Sequence, residues 1–293
     1  MIYDVSHVTR YVYGASVELT TGVLRMTPAS DGGQTVESFS LVTDPPSLPP
    51  HERIDPFGNR VTSLMIERPF RQLSIAAKSR VHVDRPAAPA NSPPWESVAA
   101  QALVVPSLDG ASPAVGLFPS RGVALFESAT AYACQSFAAG RAVHEGALEL
   151  CQRIHADFVY DSGATKVNTT PSQAFAQRRG VCQDFAHIMI AALRGLGLPA
   201  LYVSGYIRTR VSAGETRLTG ADASHAWVSL WRGSGLGWGD YDPTNALAVR
   251  NDHIVVARGR DYSDASPIES MIVSSGSHRL EVEVDVAPVM SGA

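Results

Sequence analysis

The feature that most constrains the fold is a cysteine placed where a short glycine-containing run gives way to a helix. Arg179-Gly180-Val181-Cys182-Gln183-Asp184-Phe185-Ala186-His187 leads into apolar residues at three- and four-residue steps, namely Phe185, Ile188, Met189, Ala192, Leu193 and Leu196. That period predicts a helix that begins at Cys182 and carries one apolar face. Free N–H groups and aligned peptide dipoles at a helix N-terminus favour negative charge, hence the thiolate, which is the attacking form of sulfur. Gly195-Leu196-Gly197-Leu198-Pro199 ends the helix, and Ala200 to Arg208 reads as a strand.

A nucleophile needs a base and a group to orient it. Ser224-His225-Ala226-Trp227-Val228-Ser229-Leu230-Trp231 alternates, with Ala226, Val228 and Leu230 on one face and His225, Trp227, Ser229 and Trp231 on the other, as in a strand with one apolar face. Arg232-Gly233-Ser234-Gly235-Leu236-Gly237 is a turn, and Trp238-Gly239-Asp240-Tyr241-Asp242 completes a hairpin before Pro243. Asp240 and Asp242 share a face and compete to orient His225. With the turn centred between Ser234 and Gly235, Asp240 falls opposite Ser229, and Asp242 falls opposite Trp227 on the diagonal from His225. A diagonal neighbour lies roughly 7–8 Å away, within reach of these side chains. Asp242 is therefore preferred. His187 points away from the thiol and reads as a core or supporting residue, while Asp184 reads as a helix-start carboxylate.

Three stretches, RRGVCQDFAHIMIAALRGLGLPALYVSGY, GADASHAWVSLW and GWGDYDPTNAL, occur in this order and resemble the bacterial transglutaminase-like family, whose members include candidate cysteine proteases with a papain-like core. The resemblance runs from about Thr165 to Asn245 and implies a catalytic triad of Cys182, His225 and Asp242. The tail HIVVARGRDYSDASPI is similar to the segment that follows in such proteins, and the turn Asp55-Pro56-Phe57-Gly58-Asn59 to the β-rich region that precedes the core.

Around this core, the chain reads in three parts. Residues 1–84 alternate in segments such as Tyr3 to Val12, Thr35 to Thr43 and Val61 to Ile66, broken by proline and glycine, and read as a β-rich module. Residues 85–94, rich in proline and small residues, read as a connector. Residues 95–293 read as the catalytic domain, with a helical lead-in that includes Val143 to Phe158, a core at 160–250, and later strands such as Leu280 to Val286. The expected class is α+β: a cysteine-bearing helix packed on an antiparallel sheet, preceded by the β module.

Composition narrows the chemistry. A net charge of −4 without basic runs argues against nucleic acid and anionic membrane as partners, and no stretch is apolar enough to span a bilayer. The start, Met1-Ile2-Tyr3-Asp4-Val5, alternates like a strand rather than following the layout of a secretion signal. Cys134, Cys151 and Cys182 cannot all pair within one chain and lack metal-ligand spacing, so the cytoplasm is the expected compartment and no metal or cofactor is expected. Gly214, Gly220 and the glycines around Gly233 form no phosphate loop.

Each candidate has a plainer reading: a packed cysteine, a satisfied strand histidine, an Asp-Pro turn. Their ordered conjunction favours chemistry. The preferred reading is a cysteine hydrolase that cleaves a peptide or amide bond in a peptide, protein or small amide substrate through a thioester. Transamidation of a glutamine amide is the alternative within chemistry, and a binding module with a vestigial triad the alternative outside it. The oxyanion would meet the Cys182 N–H, with Gln173 and Gln177 as further donor candidates. Trp227, Trp231 and Trp238 either line a substrate groove or pack in the core.

Overall fold

The structure, a computed structural model, describes residues 1–107, 110, 112–165, 169–209 and 224–289. Gly214, Gly220 and the first four residues of the GADASHAWVSLW stretch therefore lie outside the described residues. The chain opens with six strands: β1 (Ile2–Val17), β2 (Leu19–Leu24), β3 (Gln34–Asp44), β4 (Glu52–Ile54), β5 (Arg60–Ile66) and β6 (Phe70–Val83). Three helices follow, α1 (Trp95–Ala102), α2 (Glu127–Cys134) and α3 (Val143–Asp157), then β7 (Val159–Tyr160), α4 (Pro171–Gln177), β8 (Arg179–Gly180) and α5 (Cys182–Gly195). The remainder is β9 (Ala200–Ile207), β10 (His225–Trp231), β11 (Trp238–Asp242), β12 (Leu247–Ala248), β13 (His253–Gly259), α6 (Tyr262–Ala265), β14 (Ile268–Val273) and β15 (His278–Pro288).

The expected α+β architecture is present, an antiparallel core sheet with a cysteine-bearing helix and a β-rich N-terminal part. The core sheet runs β12-β11-β10-β9-β13, and α5 packs on β10 and β9. Every residue of α5 from Asp184 to Arg194 is buried, so the helix is enclosed on all sides rather than along the single stripe its period suggested. The strands beneath are covered on both faces too. Ala226, Val228 and Leu230 join the cluster that contains Phe185, Ile188 and Met189, while Trp227 packs with Val203, Val249 and Val255. The polar-looking face of β10 is therefore as dry as its apolar face, and all seven of its residues are buried. Trp227 accordingly belongs to the packing, not to an open groove.

The N-terminal strands form two four-stranded sheets, β15-β1-β6-β3 and β14-β2-β5-β4. Each takes one strand from the far end of the sequence: β15 pairs with β1 from Tyr3↔Pro288 to Tyr13↔His278, and β14 pairs with β2. In sequence the stretch after residue 95 reads as one unit, but in space residues 268–288 return to complete the N-terminal sheets. Tyr3, Val5, Val81 and Val83 of this part pack against Tyr206, Ile254 and Val256 of the core sheet.

Candidate active site

Cys182 is the first residue of α5 and is partly exposed. Its approach is fixed on two sides. Asp184 Oδ2 accepts the Val181 N–H at 2.9 Å, tying the start of the helix to the residue before the cysteine, and also accepts the Thr165 hydroxyl at 2.7 Å. A carboxylate on the first turn also favours the helix dipole, as expected for Asp184. Upstream, β8 pairs in parallel with β7, setting Tyr160 beside Gly180. The phenol of Tyr160 is pushed up to about 12, mainly by burial and further by Cys182, which places it in the sulfur's surroundings.

The hairpin has the register expected from its turn: Ser229 faces Asp240, Leu230 faces Gly239 and Trp231 faces Trp238. The two aspartates accordingly divide. Asp240 accepts the Trp227 indole N–H at 3.2 Å, whereas Asp242 Oδ2 lies 2.9 Å from His225 Nε2. Both members of the latter pair are fully buried. Burial by itself disfavours charge on His225, but the Asp242 carboxylate and the neighbouring Cys182 raise its pKa to about 10. Burial pushes Asp242 up, and the His225 cation with hydrogen bonds from His225 and His253 holds it well below the usual carboxylate range. His225 Nδ1 has no well-formed hydrogen bond among the described residues.

Asp242 is saturated with donors. Oδ1 accepts the Thr244 N–H at 2.9 Å and the Asn245 N–H at 3.3 Å, while Oδ2 also accepts Asn245 Nδ2 at 2.7 Å and lies 2.9 Å from His253 Nε2. The turn Asp242-Pro243-Thr244-Asn245 thus folds back on its own carboxylate. The structure brings together Cys182, His225 and Asp242. It leaves Gln173 in the capping box of α4, bonded to Thr170, and Gln177 exposed. His187 is buried, accepts the Tyr262 N–H at Nε2, and is held at about 4, chiefly by burial. That is the supporting role expected of it.

Sequence reasoning did not single out His253, Asn245 or Tyr160. Asn245 follows the aspartate by one turn and could have been found as an Asx turn partner. His253 opens the HIVVARGRDYSDASPI tail, but nothing local says that it reaches Asp242. The donor atoms of His225, Asp242 and His253 all lie within 4.8 Å of one another, a grouping that invites a metal reading. Both nitrogens stand 2.9 Å from one carboxylate oxygen. Ligands bound at 2.0–2.1 Å around a tetrahedral zinc ion are spaced by roughly 3.3 Å, wider than these two hydrogen-bonded contacts.

Comparison with known proteins places the chain in a family. Residues 3–82 match the bacterial transglutaminase-like N-terminal region, and residues 130–243 match the transglutaminase-like superfamily. The chain is 36% identical over 296 residues to an uncharacterized protein of Mycobacterium tuberculosis, covering 98% of this chain and 92% of that one. It is 35% identical over 103 residues to a protein-glutamine gamma-glutamyltransferase of Pseudomonas aeruginosa, a match that covers 34% of this chain and 15% of that protein. Among solved structures, a candidate cysteine protease from Cytophaga hutchinsonii superposes with a TM-score of 0.73 at 24% identity, covering 100% of this chain and 92% of that one, and shares the fold. With a thiol-bearing helix start, a strand histidine and a matching N-terminal region in one chain, the protein belongs to the transglutaminase-like superfamily, in the bacterial group that carries the transglutaminase-like N-terminal region.

Proposed function

We propose that the protein is a cysteine-dependent acyl-transfer enzyme that hydrolyses a peptide or amide bond, with Cys182 as nucleophile, His225 as acid and base, and Asp242 as the group that orients and charges His225. The observation that carries this reading is the buried 2.9 Å contact between His225 Nε2 and Asp242 Oδ2, on a ring whose protonated form Cys182 also favours. The His225 cation stabilises the thiolate, which attacks the carbonyl carbon and drives electrons onto its oxygen. The Cys182 N–H, at the first position of α5, is one donor for that oxyanion. Collapse of the tetrahedral intermediate breaks the carbon–nitrogen bond as His225 gives its proton to the leaving amine, leaving a thioester. Neutral His225 then takes a proton from water, which attacks the thioester and releases the acid.

An amine in place of water would give transamidation, the reading favoured by the stretch shared with the Pseudomonas aeruginosa glutamyltransferase. All three cysteines are free, in keeping with a reducing compartment such as the cytoplasm.

The test is iodoacetamide labelling of the full chain. Cys182 should react rapidly below the pH range in which an ordinary thiol (~8.5) ionises, and Cys182→Ala should lower turnover of any acyl donor by about 10³-fold or more without altering the unfolding midpoint. Labelling no faster than that of a free thiol across neutral pH would overturn the enzymatic reading. With a reactive peptide amide, release of free acid supports hydrolysis, whereas an amine conjugate as the main product replaces it with transamidation.

A further inference from the structure

His253 occupies a position that the triad does not explain. Its Nε2 contacts the same carboxylate oxygen as His225 at the same 2.9 Å, and its side chain is buried. In the core sheet β13 stands three strands from β11. Flat strands would separate them by roughly 14 Å, a gap that the two side chains and the twist of the sheet together close. An edge strand has one row of free N–H and C=O groups, and here the N-terminal part covers that row. Gln34 donates from Nε2 to Val255 O at 2.8 Å and accepts the Val255 N–H at 2.8 Å. Asn59 donates to Arg258 O at 2.7 Å and accepts the Arg258 N–H at 2.8 Å. Arg85 donates to His253 O at 2.6 Å and to Gln34 Oε1 at 3.0 Å. The backbone that carries His253 is thus gripped at its start, middle and end by residues outside the catalytic core. The Trp227 ring stands edge-on to the imidazole, 5.1 Å between centroids.

We propose that His253 is a positioning residue: held in place by Gln34, Asn59 and Arg85, it donates from Nε2 to Asp242 and fixes the carboxylate for His225. This rests on the reading of Cys182, His225 and Asp242 given above, and it assigns the N-terminal region a part in building the site. The charged and titratable groups that act on His253 are Asp242 from β11, His225 from β10 and Arg85 from the chain after β6. Burial first, then the positive charge of His225 and Arg85, keep its pKa below the ordinary value against the pull of Asp242. A neutral ring that donates from Nε2 has a bare Nδ1, and that atom is buried without a partner among the described residues. An unpaired lone pair there costs less than a second buried charge. The two rings on Asp242 therefore differ: His225 holds the mobile proton, and His253 is a fixed neutral donor.

The experiment is the pH dependence of Cys182 alkylation by iodoacetamide in the full chain, for wild type, His253→Leu and His253→Gln. The Leu variant should move the acid limb upward by at least one pH unit and slow alkylation at pH 6 at least tenfold. The Gln variant, whose amide can donate to Asp242, should recover most of the loss. An unchanged profile in folded His253→Leu, or a Gln variant as impaired as Leu, overturns the proposal. His225→Ala and Asp242→Asn separate the two levels of the argument, since a profile indifferent to both would sink the triad reading itself. Side-chain nitrogen NMR of the wild type decides the matter even where the Leu variant does not fold. The expected result at pH 7 is a neutral His253 protonated at Nε2 beside a doubly protonated His225, and the reverse assignment overturns the proposal.

Discussion

The core sheet and the β15-β1-β6-β3 sheet are both antiparallel, yet they meet water differently. In β10 every residue is buried, including His225 and Ser229. In β3, which borders the outer sheet, exposed and half-buried residues alternate along most of its length, and Val42 is 63% exposed. An antiparallel strand with one wet face shows its period openly, whereas one covered on both faces must bury whatever polar groups its function requires. Burial of an unpartnered polar group is costly, so a histidine on β10 needs a carboxylate, and that carboxylate needs its own donors. The donor-saturated Asp242 is the consequence. The outer sheet has its own buried histidine, His7, but that ring is satisfied by the Tyr206 and Thr9 hydroxyls rather than by a carboxylate.

The sharpest way to break this contrast is Trp227→Ala. The side chain is fully buried against Val203, Val249 and Val255, so the substitution should cost about 3–5 kcal/mol in urea unfolding. A cost near zero would mean that this face of the core sheet is not packed. Next in size is the pH profile of stability. Folded His225 is raised above its ordinary ~6.5, so its contribution is complete below that pH and is lost as pH climbs toward about 10. His7 and His187 run the other way: burial lowers both to about 4, and their neutral forms cost stability as pH falls from ~6.5 toward 4. The unfolding midpoint should therefore decline on both sides of neutrality, and His225→Gln should flatten only the alkaline side. A decline on that side unaffected by the substitution would contradict the ion pair. Smallest of all is Val42→Ser on the exposed face of β3, which should stay within about 0.5 kcal/mol of wild type. A larger loss would show that the outer face is covered by something.

Much of the site was legible because its parts are local. The helix start at Cys182 follows from a 3.6-residue period and a glycine before it, and the choice of Asp242 over Asp240 follows from turn length and strand parity. The structure has that register and gives each aspartate a different partner, His225 for one and Trp227 for the other. The reading of β10 as a strand with Ala226, Val228 and Leu230 on one apolar face holds, but alternation reports side-chain chemistry and left open what covers the other face. The amphipathic picture of α5 failed for the same reason.

By itself, then, the sequence determined which residues could form the triad, the order of the helix and hairpin that carry them, and the presence of a separate β-rich region. Tertiary structure alone decided that β14 and β15 cross back to complete the N-terminal sheets, that β13 forms the edge of the core sheet beside β9, and that His253 meets Asp242. Those contacts join segments up to some 285 positions apart, as in Tyr3↔Pro288. Periodicity describes only how neighbours along the chain share a face. Which distant edges pair is chosen by the apolar area and backbone hydrogen bonds that the whole fold can satisfy at once.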